Sequence, residues 1–144
     1  MIVNIVQPDA RIRQGNGPVV GDNEYNTDAH GQSRSARVPN RGTATFRITV
    51  QNDGTAVDTF RLSGPGSTNR YVVTYELGTT NITAGVVAGT QELVDVFQGS
   101  VRTVTVTVRA RRGTPVGAAI TRRVTATSVL ADRRDTVRFT VTRR

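Results

Sequence analysis

Apolar and polar residues alternate with a period of two through most of this chain, and that pattern limits what the chain can fold into. In the segment 101–109, Val104, Val106 and Val108 share one parity and Thr103, Thr105 and Thr107 the other. Successive side chains of an extended strand point to opposite faces, so the segment predicts a strand with one buried face and one wet face. The segment 45–50 repeats the pattern, with Phe46, Ile48 and Val50 inward and Thr45, Arg47 and Thr49 outward. Phe60 and Leu62, then Tyr71, Val73 and Tyr75, then Ile120, Val124 and Ala126, then Val137, Phe139 and Val141 form four further inward sets. Val and Thr dominate, and their branched side chains suit a pleated, half-buried surface. Turn signals separate the sets at Asn52-Asp53-Gly54, Gly64-Pro65-Gly66, Phe97-Gln98-Gly99-Ser100, Arg112-Gly113-Thr114-Pro115 and 132–135.

Short one-sided strands divided by such turns predict an all-β antiparallel sandwich with a solvated outer face. No stretch has helical spacing of useful length. The segment 78–90, rich in Gly, Thr and Ala, reads as an irregular connection or a weak edge strand at 85–87. The first 40 residues are less regular. Ile2, Val3, Ile5 and Val6 form a short strand candidate, 14–21 and 22–32 read as loops, and 34–38 as a short strand before Pro39. The expected organisation is one compact domain, with residues 1–40 as an N-terminal extension and residues 41–144 as the sandwich core. A chain of 144 residues is long enough for one two-layer core.

The order of segments from 41 to 142 resembles a known family. Its pieces are Gly-Thr-Ala-Thr-Phe-Arg-Ile-Thr-Val-Gln-Asn-Asp-Gly-Thr at 42–55, Asp-Thr-Phe-Arg-Leu at 58–62, Val-Thr-Val-Thr-Val at 104–108, Gly-Thr-Pro-Val-Gly at 113–117 and Val-Thr-Ala-Thr-Ser at 124–128. Together they look like the immunoglobulin-like modules of large bacterial surface and secreted proteins, of the CARDB type or the type found beside secreted glycosidases. The resemblance implies an immunoglobulin-like antiparallel sandwich of about seven to nine strands. It also implies a spacer, stalk, adhesion or assembly role, an extracellular or cell-surface location, and no catalytic residues to carry over. The extension at 1–40 lies outside it.

Composition removes several chemistries. The chain has no cysteine, hence no disulfide framework, thiolate metal site or thiol nucleophile. All 19 basic residues are arginine, and the net charge is +8. Without lysine, a Lys–Asn isopeptide crosslink is excluded. Arginine stays charged and forks onto carboxylate, sulfate and phosphate, so weak adsorption to anionic polymers at low salt is expected. No apolar run is long enough to cross a bilayer as a helix. Residues 1–10 lack the basic and apolar regions of a signal peptide, which leaves either a cytoplasmic chain or a form whose leader has been removed, and the second is the expectation.

The candidate chemical residues are few. His30 is the lone histidine, with Asp28 nearby, but no serine sits in a nucleophile elbow, and a solvated loop histidine is the simpler reading. Glu76 and Asp58 are the least trivial carboxylate pair. Asp22, Asn23, Glu24 and Asp28 form the densest oxygen-rich cluster. Their spacing departs from the loop pattern of calcium sites, and a hydrogen-bonded turn fits them better. The Arg pairs at 111–112, 122–123, 133–134 and 143–144 are dispersed by the strand reading, so no specific nucleic-acid face is expected. Arg122 has inward parity, which calls for a bulge or a stem reaching out at the sandwich edge. Only Tyr25 and Phe97 are left as exposed aromatics, too few for a sugar platform.

No catalytic, cofactor or metal residue is therefore assigned. The expected function is a non-catalytic structural or adhesive module of a bacterial extracellular assembly. The alternative is a binding module for an anionic polymer, an acidic polysaccharide or nucleic acid. The candidate assembly strand is Ile2, Val3, Ile5 and Val6, because apolar residues on both parities suit a strand buried on both faces, as strand addition to a neighbouring copy would supply. The competing reading is a first edge strand within its own domain.

Overall fold

The computed structural model describes residues 4–144. The strands, in chain order, are β1 (Pro8–Gln14), β2 (Ser33–Val38), β3 (Thr43–Asn52), β4 (Asp58–Ser63), β5 (Tyr71–Leu77), β6 (Thr80–Asn81), β7 (Gln91–Val96), β8 (Val101–Ala110), β9 (Ala119–Ser128) and β10 (Arg134–Arg143). One short helix, α1 (Thr83–Ala88), lies between β6 and β7. Two five-stranded sheets form, in the orders β1-β3-β8-β5-β6 and β2-β10-β9-β4-β7. Every strand pair is antiparallel except β2 with β10, which run parallel. The small departure from the expected strand number comes from the two-residue β6.

The inward sets read from the alternation meet between the sheets. Phe46 of the first sheet stacks on Phe139 of the second, with ring centroids 5.1 Å apart. Ile48, Val50, Phe60, Leu62, Val104, Val106, Val108, Val124, Val137 and Val141 are all buried around them. The phenols of the buried Tyr71 and Tyr75 reach the carbonyls of Ala118 and Pro65 at 2.6 and 2.8 Å, so neither hydroxyl is left unpaired in the interior.

Two segments differ from the sequence reading. Residues 85–87 form no edge strand; they sit inside α1, which buries Val86 and ends at Gly89 in the left-handed conformation (φ 73°). The segment 91–96, passed over by the alternation, is β7. Its buried residues are Leu93 and Val96, three positions apart, because the pairing with β4 shifts between Asp58 and Phe60 and Asp95 takes a φ of 53°. A bulge breaks the period of two that sequence inspection relies on. Arg122 needs no bulge. Its register with Phe139 is unbroken, and its Nε donates to the Gly66 carbonyl at 2.9 Å, the stem running out along the rim.

The first 40 residues supply a strand to each layer: β1 pairs with β3 in the first sheet and β2 with β10 in the second. The loop between them crosses from layer to layer and folds back on β1, where Ile12 and Val20 exchange two main-chain hydrogen bonds of 3.0 Å.

Candidate functional site

The crossing loop is held by buried carboxylates. Asp135, at the start of β10, is fully buried. Its Oδ2 accepts from the Ala10 amide at 2.7 Å. Its Oδ1 accepts from the Asn26 amide, the Gln32 side-chain amide and the Thr136 amide at 3.2, 2.9 and 3.1 Å. Gln32 Nε2 also donates to the Ala10 carbonyl at 2.9 Å. Two side chains thus occupy the main-chain groups that β1 would otherwise present to a further strand. Burial pushes the Asp135 carboxyl up to about 6, and the four donors hold it from rising further.

Asp9 is the second buried carboxyl. Its Oδ2 lies 3.3 Å from the Asn23 amide and 3.5 Å from Arg11 Nε, which stands equally near Asp22. Burial pushes Asp9 up to about 7, the Asn23 amide opposes the rise, and the neighbouring charge of Asp53 adds to it. Asp53 in turn accepts from the Tyr25 hydroxyl at 2.6 Å.

These shifts set an expected pH dependence. A carboxyl whose folded pKa lies above its unfolded value of about 3.9 binds its proton more tightly when folded. Stability from Asp9 is therefore full below about pH 4 and is lost as the pH rises to about 7. Asp135 acts in the same direction up to about 6. The urea midpoint should be higher at pH 5 than at pH 8, and Asp9→Asn should flatten the difference. A wild-type midpoint that climbs from pH 5 to pH 8 would contradict this account.

The other candidates of the sequence reading do not converge. Asp22 faces Arg11, the Asn23 side chain accepts from Tyr25, Glu24 lies against Gly31, and Asp28 accepts from the main-chain amide of His30. Among the described residues no three His, Asp or Glu side chains are grouped to hold a metal ion. His30 is exposed and meets Asp28 through its backbone rather than its imidazole. Glu76 and Asp58 belong to different sheets, and Asp58 is taken up by the Ser128 hydroxyl at 2.5 Å. Sequence reasoning missed Asp9, Gln32 and Asp135 as a buried group; a turn acid before an inward parity set gives no signal of burial.

The candidate assembly strand falls partly outside the described residues, since Ile2 and Val3 lie there. Ile5 is 57% exposed and Val6 half-buried. The Ile5 amide donates to Thr55 Oγ1 at 2.8 Å, the Thr55 amide to the Ile5 carbonyl at 2.9 Å, and the Asp53 amide to the Gln7 carbonyl at 2.9 Å. Residues 5–7 thus run beside the β3–β4 turn, where a side chain at Gly54 would collide with the Ile5 carbonyl.

Two layers of five strands with the core between them, one of them extended by the parallel pairing of β2 with β10, decide the architecture. The fold is an immunoglobulin-like sandwich. No protein-family model and no curated protein matches the chain. Among solved structures, the chain is similar to a family 123 glycoside hydrolase from Clostridium perfringens studied for glycolipid glycan hydrolysis, with TM-score 0.56 and 7% identity, covering 96% of this chain and 27% of that one. The chain therefore spans about a quarter of that enzyme. It is also similar to a FixG-related protein from Vibrio parahaemolyticus, with TM-score 0.53 and 12% identity over 95% of this chain and 96% of that one. At such identities the likeness concerns the immunoglobulin-like fold alone.

Proposed function

We propose that the chain is a non-catalytic structural module of a bacterial extracellular assembly, joined to further copies by strand addition through residues 1–6. The observation that carries this reading is a set of apolar side chains left in water at one end of the sandwich. Ile5, Val57, Phe97, Val129 and Leu130 are 57%, 44%, 61%, 43% and 56% exposed. They flank the ends of β3, β7 and β9, the same end from which residues 4–7 run into β1. Clustered exposed apolar side chains mark contact surfaces. The polar candidates are meanwhile spent on turns and strand ties, and His30 faces solvent.

Light scattering across a concentration series tests the reading. In moderate salt, the full chain should form particles larger than one subunit, and deletion of residues 1–6 should return a folded monomer. A full chain that stays monomeric at high concentration removes the assembly reading. His30→Ala should change stability by less than about 0.5 kcal/mol, as for an ordinary surface site; a larger loss would give the residue a role this account lacks.

The second reading, binding of an anionic polymer, rests on the +8 net charge carried by arginine alone. Contacts of that kind fade steeply between low and physiological salt, whereas apolar strand addition does not.

A further inference from the structure

Strand addition needs an acceptor, and one sheet edge differs from the others. In the parallel pair of β2 with β10, the Arg138 amide donates to the Gln32 carbonyl at 3.0 Å and the Arg144 amide to the Val38 carbonyl at 2.9 Å. Residues along a strand engage one neighbour alternately, so the even-numbered residues of β2 face β10. Ser33, Ser35 and Arg37 turn their amides and carbonyls to the other side. There, among the described residues, no strand lies beside them and no main-chain partner meets them.

The remaining edges are wholly or partly closed. Along β1, Asp135, Gln32 and Val20 occupy Ala10 and Ile12. Along β5, hydroxyls of Thr68, Ser67 and Thr83 accept from the amides of Tyr71, Val73 and Tyr75, and β6 covers the end. Along β7, Arg102 reaches the carbonyls of Val94 and Asp95, and the bulge at Asp95 bends the strand. Such devices blunt an edge against pairing, and β2 carries none on its outward main chain.

A groove of about 340 Å³ runs beside the open edge, lined by Gln14, Gly17, Pro18, Ser33, Arg34 and Ser35. Its place in the fold matters. Ala10 meets Asp135, so β1 and β10 begin at the same end of the sandwich. The parallel β2 runs from Ser33, opposite Arg138, to Val38, opposite Arg143, toward the other end. The open edge and the segment 4–7 therefore occupy opposite halves of the molecule.

We propose that the open edge of β2 receives residues 1–6 of a second copy as an added strand. The inference rests on the assembly reading above and names its acceptor. Pairing β2 with β2 of another copy would bring Arg34 and Arg37 of both against each other, which like charges oppose. The segment Met-Ile-Val-Asn-Ile-Val carries no charged side chain, and its apolar residues suit the groove beside Pro18. The donor releases the two Ile5–Thr55 bonds and gains the amides and carbonyls of Ser33, Ser35 and Arg37. Because donor and acceptor lie at opposite ends, the contact is head-to-tail and propagates.

The absence of native cysteine makes the test direct. A single cysteine at Ile2 or Val3 is combined in turn with one at Ser35 or Arg37, and the concentrated protein is oxidised mildly. The proposal expects loss of the monomer band to a ladder of multiples on a non-reducing gel for at least one of these pairs. A control pair with Val94→Cys on β7 should stay monomeric. A ladder only with Val94→Cys, or larger particles by light scattering with no β2 crosslink, overturns the acceptor and leaves the assembly reading standing. A fast-migrating crosslinked monomer shows pairing within one chain and overturns the proposal. Monomer throughout, in the gel and by light scattering, fails the assembly reading itself.

Discussion

Phe139→Ala should lower stability by about 3–5 kcal/mol, a large part of the 5–15 kcal/mol typical of a domain. Phe139 is fully buried and stacked on Phe46, so the two rings join the two sheets at mid-core. Truncation leaves a cavity against Phe46 between two sheets whose paired strands resist closing, so collapse around it is limited. A urea titration should show the midpoint falling with the slope unchanged, because the loss is one of packing rather than of the amount of surface exposed. A loss below about 1.5 kcal/mol would mean that this contact is not the centre of the core.

Asp135→Ala should cost about 3 kcal/mol by a different route. The carboxylate satisfies three main-chain amides and the Gln32 side chain, and the bonds to Ala10, Gln32 and Thr136 are buried. Asp135→Asn keeps the shape but sets an amide group against one of the donors on either side, and should recover only part of the loss. Amide exchange separates this from a general loosening: the Ala10 and Asn26 amides should exchange faster relative to those of β8. Equal acceleration everywhere, or a cost under about 1 kcal/mol, would show that the cluster does not hold the crossing loop.

The core was legible wherever one face is buried and the strand is regular. Val104, Val106 and Val108 are buried as their parity predicts, as are Tyr71, Val73 and Tyr75. It was illegible where register breaks. Leu93 and Val96 straddle a bulge, and Val86 sits in a single helical turn too short to show a period. The buried acids were hidden for another reason. Asp9 and Asp135 stand where turns meet strands, and their burial depends on Gln32 and on amides as much as 125 positions away. The open edge of β2 was likewise invisible, since it follows from which strand lies next to which rather than from the residues of 33–38 themselves.

The parallel pairing of β2 with β10 has a consequence for how the molecule comes into being. β2, made well before β10, finds in β10 its sheet neighbour among the described residues, and Ala10 waits for an acid 125 residues later. Contacts of such sequence separation delay folding, because a long loop must close before they contribute. The second sheet cannot take its final width until β10 has emerged and paired with β2. Folding should fall in the slow range of all-β domains, milliseconds to seconds, with β2 among the last strands to gain protection.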